Sequence, residues 1–222
     1  MKAIVIKRFG PADVFEEMEL PTPQVGAQQV LVKVEATAVN PLDFKLRRGD
    51  LPGFTHDFPA ILHSDFAGTL VEVGPGVSDL KVGDRVYGCA GGVRGRQGAL
   101  AEYMVADAAL VARQPSRISA TEAATLQLVA ITAWEGLIAR LEIRPGQRVL
   151  VHAGTGGVGH VAAQLAKWRG AQVFTTVSSE KKAELSRLYG ADVTINYREQ
   201  SVAAYVQSCT QGEGFDVVVD TV

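Results

Sequence analysis

Apolar residues change their spacing about halfway along the 222-residue chain. From Lys2 to about Arg113, short runs that alternate apolar with polar positions are separated by glycine and proline turns. In residues 30–38, valine or alanine occupies every second position and mostly polar residues stand between them. This alternation is typical of strands with one buried face, and we predict that the first half forms a compact β-barrel or sandwich.

One helix interrupts the β-rich half. Asn40 is a typical N-cap residue, Pro41 suits the first helical position, and Gly49 follows the last predicted turn. Asn40 is therefore interpreted by default as a cap, and Asp43 as a first-turn carboxylate that the helix dipole favours.

The second half alternates continuous apolar strands with helices, which predicts a parallel sheet covered on both faces. A capping box at Ser119–Glu122 opens a helical stretch that runs to about Ile138, so we place the domain boundary there and predict domains of residues 1–118 and 119–222. Strands are expected at residues 149–151, 171–176, 191–195 and 215–219. With right-handed crossovers, they form the first half of a Rossmann fold plus one strand. A complete sheet of this kind has further strands, so we expect a chain that is incomplete at its C-terminus.

A glycine turn in the second half is the strongest chemical signal. It follows the apolar strand Val149–Val151 and opens a helix, and its glycines let the backbone approach a phosphate at the positive end of the helix dipole. In this context the turn predicts a dinucleotide site, with an ordinary glycine-rich turn as the alternative. The candidate contacts are Gly154, Gly156, Gly157, Val158 and Gly159.

The end of the next strand bears on the choice of dinucleotide. NAD sites usually place an acid there, about 20 residues after the glycines. Here the strand runs into Ser178 and Ser179, Glu180 comes slightly late, and Lys182 and Tyr197 follow. Hydroxyls and cations suit a 2′-phosphate, which favours NADPH over NADH, and the alternative is that the lysines form a solvated helix face.

Composition argues against several other classes of function. The net charge of -2 gives no basic surface for nucleic acid or for a membrane surface. Two cysteines, Cys89 and Cys209, cannot build a disulfide framework or a four-cysteine zinc site, so we expect a reducing, cytoplasmic setting. No apolar run is long enough to span a membrane.

Four residues in the first half raise a metal hypothesis: His56, Asp57, His63 and Asp65. A zinc site needs three or four converging ligands with support around them, and nothing in this spacing enforces convergence. We therefore predict no metal site and interpret His63 as a hydrogen-bonded histidine at the domain edge.

Seven short motifs are specific when taken together: Ala36–Asp43, Asp65–Gly68, Val73–Val77, Lys81–Val86, Gly98–Tyr103, Ile131–Trp134 and Ala153–Gly159. On these motifs the chain resembles the medium-chain dehydrogenase/reductase superfamily, specifically its zinc-independent quinone oxidoreductase-like branch, over essentially its whole length. The resemblance implies a GroES-like catalytic domain followed by a Rossmann domain, with the active site between them.

The resemblance also implies roles for individual residues. Asn40 and Thr132 would contact the nicotinamide end of the cofactor. The pyrophosphate would lie against Gly156, Gly157 and Val158, and the 2′-phosphate against Ser178, Lys182 and Tyr197. Ser178 stands where relatives often have glycine, and Lys45 stands where many have tyrosine.

Zinc-using relatives carry cysteine at the position of Asn40 and histidine at that of Ser64. They also carry a four-cysteine lobe near Gly91–Gly98. These departures imply that both metal sites are lost.

The function expected is therefore an NADPH-dependent reductase of quinones, enones or related conjugated carbonyl compounds, homodimeric in its full-length form. Asn40 is the best candidate hydrogen-bond donor near the reacting centre, and His63 is a weaker one. Two alternatives remain: a nucleotide-binding or regulatory fragment without turnover, and a zinc-type relative acting on alcohols or aldehydes. The sequence does not name the substrate.

Overall fold

The structure, a computed structural model, describes residues 1–54 and 57–221. His56, one of the four metal candidates, and Val222 lie outside the described residues. The chain divides into two compact units, Met1–Leu128 and the part from Val129 onward, and each is described by itself. The domain boundary expected near Ser119 stays a prediction.

The first unit is mainly β-structure. A five-stranded antiparallel sheet has the order β6-β3-β4-β5-β7, and β1 and β2 form a separate antiparallel pair. The strands are β1 (Lys2–Ile6), β2 (Phe15–Glu19), β3 (Gln29–Thr37), β4 (Asp65–Val73), β5 (Arg85–Cys89), β6 (Tyr103–Asp107) and β7 (Val111–Arg113). Isolated bridges join Ala3 of β1 to Ala101 and Ile6 to Ala60.

Strand β3 shows why the alternating pattern predicted this sheet. Val30 and Val32 are fully buried, whereas Lys33 and Glu35 are exposed. Because β3 lies between β6 and β4, its buried residues pack in a core with Phe66, Leu70, Val86 and Met104. Each such side chain stabilises the fold by about 1.5–3 kcal/mol.

The predicted helix in this unit is α1 (Pro41–Arg48), with Asn40 at its N-cap and Gly49 at its C-cap. The backbone N–H of Asn40 donates to the Asp43 carboxylate at 2.6 Å. Gly49 has a φ of 83°, a left-handed conformation that glycine adopts without strain, and its N–H donates to the carbonyl of Leu46 at 3.0 Å.

The helical stretch expected up to about Ile138 is broken in the structure. It consists of α2 (Ala120–Ala124), α3 (Gln127–Trp134) and a π-helical continuation, Glu135–Arg140. The predicted capping box is present, because the N–H of Ser119 donates to the Glu122 carboxylate at 2.8 Å. Helix α2 ends at Thr125, whose hydroxyl and N–H both donate hydrogen bonds to the carbonyl of Glu122.

The second unit is a parallel sheet in the order β10-β9-β8-β11. In order along the chain these strands are third, second, first and fourth, which confirms the predicted Rossmann half with one further strand. The elements are β8 (Arg148–Val151), α4 (Gly157–Trp168), β9 (Gln172–Val177), α5 (Glu180–Leu188), β10 (Val193–Asn196), α6 (Val202–Thr210) and β11 (Val217–Val219).

Helices cover both faces of this sheet. On one face, Val149 and Val173 pack against alanines of α4, whose small side chains let the helix lie close to the strands. On the other face, Leu150 and Phe174 pack against Tyr205 of α6. Both faces of β8 and β9 are therefore buried, which explains why these strands are continuous apolar runs. No helix in the described part of the chain is long and apolar enough to cross a membrane.

We predict that Asp192→Asn destabilises the second unit. The Asp192 carboxylate accepts hydrogen bonds from the Val173 N–H in β9, at 2.8 Å, and from Lys167 in α4. Partial burial raises the pKa of Asp192, but these donors outweigh it and hold the pKa below its ordinary value. The free energy of unfolding near neutral pH should fall by about 1 kcal/mol, measured by urea denaturation.

The pH dependence follows from the sign of that shift. A carboxyl whose pKa is depressed by folding contributes stability above its unfolded pKa, and this is lost as pH falls through its folded pKa. The difference between Asp192→Asn and the parent protein should therefore disappear at acid pH. Glu184→Gln, which removes an exposed carboxylate from α5, is the control and should have little effect at either pH. An equal loss for Asp192→Asn at both pH values would contradict this account.

Candidate functional site

The glycine turn connects the end of β8 to the start of α4. Ala153 has a φ of 49°, its N–H donates to the Thr176 hydroxyl at 3.0 Å, and its carbonyl accepts the Gly156 N–H at 2.7 Å. A Cβ on Gly159 would lie 2.1 Å from the Ala153 oxygen, and one on Gly154 would lie 2.5 Å from the Thr175 Cβ. These two glycines therefore allow the turn to pack closely, and their contact with a cofactor stays a prediction.

The remaining predicted contacts lie at the start of α4. Gly156 is the N-cap of this 12-residue helix, and Gly157 and Val158 are its first two residues. The Gly156 N–H is already bonded to the Ala153 carbonyl. The N–H groups of Gly157 and Val158 have no carbonyl one helical turn earlier, so they are available at the positive end of the helix dipole. A pyrophosphate fits this chemistry, since its oxygens are acceptors for these donors.

The predicted 2′-phosphate residues lie at the same carboxyl edge of the sheet. The Tyr197 N–H donates to the carbonyl of Val177 at 3.2 Å, so the segments that follow β9 and β10 run side by side. Ser178 directly follows β9, and Lys182 lies exposed in the first turn of α5. Tyr197 is 54% exposed.

The acid nearest to the end of β9 is already paired. The carboxylate of Glu180 lies 3.0 Å from a guanidinium nitrogen of Arg187 on the same helix. The interpretation of Glu180 as a surface helix residue, rather than a ribose ligand, is consistent with this pair.

The candidates for the nicotinamide end belong to different units. Thr132 is exposed on α3 in the second unit, whereas Asn40 and His63 lie in the first. Asn40 and His63 are only 6% and 7% exposed, and the structure places both in a buried polar cluster with Thr37, Asp43, Ser64, Asp65 and Cys89.

Asp65 holds the Asn40 side chain in this cluster. Asn40 Nδ2 donates to Asp65 Oδ2 at 2.8 Å, and the N–H of Leu128 donates to Oδ1 at 3.0 Å. Burial raises the pKa of Asp65, while hydrogen bonds from Asn40, from the Cys89 thiol and from Leu128 oppose the rise. Asn40 thus has a role beyond the helix cap, since it contacts two carboxylates. Its backbone N–H donates to Asp43, and its side-chain amide donates to Asp65.

Asp43 and His63 form a buried pair within the cluster. Burial raises the pKa of Asp43, and the N–H groups of Asn40 and His63 and the His63 charge oppose the rise. Burial lowers the pKa of His63, and the Asp43 charge opposes that change. The neutral imidazole is therefore the favoured form of His63 near neutral pH.

Thr37 determines which tautomer of His63 is present. The Thr37 hydroxyl donates to the carbonyl of Asp65 at 2.7 Å, so its single proton is already used. His63 Nδ1 lies 3.3 Å from the same hydroxyl oxygen and must be the donor in that contact. Neutral His63 therefore carries its proton on Nδ1 and has an acceptor lone pair on Nε2.

The residues that replace the zinc ligands of relatives do not fit zinc. The amide of Asn40 donates to Asp65, and the Ser64 hydroxyl donates to the carbonyl of Gly91 at 3.0 Å. Neither group is a zinc ligand of the usual nitrogen, thiolate or carboxylate type. Within residues 1–54 and 57–221, no group of three or more His, Cys, Asp or Glu side chains could hold a metal ion.

Sequence reasoning missed how many polar groups converge on Asp65. Burial raises the pKa of the Cys89 thiol to about 12, and the Asp65 carboxylate adds to the rise, so this cysteine is a neutral donor. The sequence does contain a signal, because an acid stands directly before the apolar residues that begin strand β4. The partners of that acid come from distant segments, and spacing alone does not connect them.

Comparison with known proteins gives the family. Residues 26–116 match the family described as alcohol dehydrogenase GroES-like domain, and residues 157–222 match the one described as zinc-binding dehydrogenase. Among curated proteins, the chain is 38% identical to the NADPH-dependent alkenal/one oxidoreductase, chloroplastic, of Arabidopsis thaliana. That similarity covers 100% of this chain and 57% of the relative, so the chain spans little more than half of the relative's length.

Solved structures give the same result. An alcohol dehydrogenase superfamily protein from Novosphingobium aromaticivorans is 44% identical with a TM-score of 0.93, over 100% of this chain and 66% of that one. The quinone oxidoreductase from Coxiella burnetii is 34% identical with a TM-score of 0.83, over 100% of this chain and 68% of that one. The chain therefore belongs to the medium-chain dehydrogenase/reductase superfamily, in its quinone oxidoreductase-like branch.

Proposed function

We propose that this protein is an NADPH-dependent oxidoreductase that reduces quinones, enones or related conjugated carbonyl compounds without zinc. The observation that carries the proposal is the carboxyl edge of the parallel sheet. There the start of α4 offers donors for a pyrophosphate, and hydroxyls and a lysine follow β9 and β10 where an NADH site would have an acid. The names of the Arabidopsis and Coxiella relatives support the cofactor and the substrate class.

Cofactor binding is divided between two groups of residues in this proposal. Gly157 and Val158 bind the pyrophosphate through backbone N–H groups, and Gly156, which has no side chain, lets it approach the backbone. Lys182 supplies the charge that binds the 2′-phosphate, together with Ser178 and Tyr197. Bound NADPH supplies a hydride from its nicotinamide. The protein has to hold the nicotinamide in one orientation and exclude water, and Asn40 and Thr132 are the proposed contacts at that end.

Reduction of a conjugated carbonyl compound leaves negative charge on its oxygen, which a hydrogen-bond donor stabilises. Asn40 uses one N–H for Asp65 and has a second N–H on the same nitrogen. His63 is a weaker candidate, and its Nε2 is the atom that would exchange a proton, because Nδ1 is committed to Thr37.

Zinc is left out of the proposal because of the ligand chemistry at two positions. Asn40 and Ser64 stand where zinc-using relatives have cysteine and histidine, and both side chains are engaged as donors inside the first unit. Charge on the substrate oxygen would then be met by hydrogen bonds in place of a Lewis acid.

The first test is turnover. We expect the purified protein to oxidise NADPH, followed by the absorbance of the reduced nicotinamide, when a quinone or an enone is added, at a rate that a zinc chelator does not change. A saturated aldehyde and a primary alcohol with the oxidised cofactor are the matched controls. Chelator-sensitive oxidation of the alcohol would indicate the zinc-type alternative. Binding of NADPH without turnover of any compound would favour a nucleotide-binding protein.

The second test concerns the 2′-phosphate. NADPH should raise the melting temperature much more than NADH, and Lys182→Ala should weaken NADPH binding about 10- to 100-fold, as expected for loss of a hydrogen bond to a charged group. The affinity of Lys182→Ala for NADH should equal that of the parent protein, because NADH lacks the 2′-phosphate.

Lys181→Ala is the control for this test, since Lys181 is the neighbouring exposed lysine on the same helix. Calorimetric titration of both variants with both cofactors separates the two positions. Equal melting shifts for NADPH and NADH, or equal losses in the two lysine variants, would refute the assignment.

A further inference from the structure

Asp65 is a buried carboxylate whose three partners come from different parts of the first unit. It opens β4 and is 0% exposed. Its hydrogen-bond donors are the Asn40 amide at 2.8 Å and the Leu128 N–H at 3.0 Å, and its third partner, Cys89, lies opposite it in the β4–β5 register. None of these partners carries a positive charge. A buried carboxylate of this kind depends entirely on hydrogen-bond donors for its stability.

This arrangement determines the orientation of the Asn40 amide. An ionised carboxylate only accepts hydrogen bonds, so Asn40 must present Nδ2 to it and Oδ1 to the other side. Turning the amide over would set Oδ1 against Oδ2, two acceptors without a proton between them. The backbone of Asn40 is held as well, because its N–H donates to Asp43 at 2.6 Å.

We propose that Asp65 is a positioning residue, which fixes the Asn40 amide so that its second N–H faces the bound nicotinamide or substrate in one arrangement, while Oδ1 faces the Asp43 N–H in the capping box. The inference rests on the proposed function, in which Asn40 lies at the reacting centre. A freely turning amide would present the wrong group part of the time, whereas a fixed amide is organised before the substrate binds.

The variant Asp65→Asn tests this at nearly constant size. The new amide can keep the Leu128 contact through its oxygen, and it then turns an NH₂ group toward the NH₂ group of Asn40. Asn40 should turn over to offer Oδ1. We expect kcat to fall about 10- to 100-fold, while KM for NADPH changes less than about threefold, because the phosphates bind elsewhere in the chain.

A double variant separates positioning from folding. In Asn40→Asp with Asp65→Asn, donor and acceptor are exchanged, so the hydrogen bond between positions 40 and 65 forms again. We expect the melting temperature to recover relative to Asp65→Asn while kcat stays low, because position 40 then carries a carboxylate. Cys89→Ala is the control that changes a different neighbour of Asp65 and leaves the bond to Asn40 in place, so its kcat should stay within about twofold of the parent value.

Nuclear magnetic resonance gives a readout that does not depend on activity. The sequence has two asparagines, Asn40 and Asn196, so isotope-labelled asparagine gives two side-chain amide signals. Asn196 also donates to a carboxylate, that of Glu199 at 2.6 Å, but on the surface, which makes it an internal control. The Asn40 amide protons should exchange with solvent much more slowly than those of Asn196, and Asp65→Asn should shift the Asn40 signal and remove its protection. The variant adds a third signal, from position 65, which the double variant identifies because it has no asparagine at position 40.

The outcomes are distinguishable. Unchanged kcat and an unchanged Asn40 signal in Asp65→Asn would overturn the proposal, as would recovery of both kcat and melting temperature in the double variant. If the parent protein neither binds NADPH nor turns over, the proposed function fails by itself. The Asn40 signal then decides whether Asp65 fixes the amide: loss of protection in the variant supports it, and no change overturns it.

Discussion

A buried carboxylate must accept hydrogen bonds from donors of the protein, and in the first unit Asp65 is such a carboxylate. Its partners come from three segments that are far apart in sequence: donors in the residue before α1 and at the start of α3, and Cys89 at the end of β5. Each segment has to adopt its observed position for the carboxylate to be stable inside the sheet. The buried cluster around Asn40 and His63 depends on this constraint, and Thr37 extends it by bonding to the Asp65 carbonyl.

The second unit differs from the first in its electrostatics, because it presents exposed donors and not a buried carboxylate. Its carboxyl edge is organised to receive negative charge, through the helix dipole of α4 and the exposed Lys182. The glycines of the turn have different roles. Gly154 and Gly159 permit close packing, and Gly156 is the N-cap of α4. One unit thus holds a buried carboxylate that accepts a hydrogen bond from the Asn40 amide, and the other presents backbone N–H groups at the start of α4.

Several features could be predicted because they depend on neighbours in the sequence. Alternation around Val32, the cap at Asn40 and the apolar runs of β8 and β9 report local burial and local hydrogen bonding, so periodicity and capping rules found them. The break at Thr125 was missed, since the residues on both sides favour a helix, and the hydroxyl and N–H of Thr125 both bond to the Glu122 carbonyl where it ends. The positions expected for Ser178, Lys182 and Tyr197 follow from topology, because carboxyl ends of parallel strands meet at one edge.

By itself, the sequence determined the family of the chain, its two kinds of architecture and the turn that suits a pyrophosphate, because strand period, helix caps and glycine spacing are local properties. Only the tertiary structure decided the state of the polar cluster. It showed that the Asn40 amide donates to Asp65, that His63 carries its proton on Nδ1, and that Cys89 is a neutral thiol. Those properties depend on burial and on partners tens of residues away, and such partners meet only once the sheet has folded.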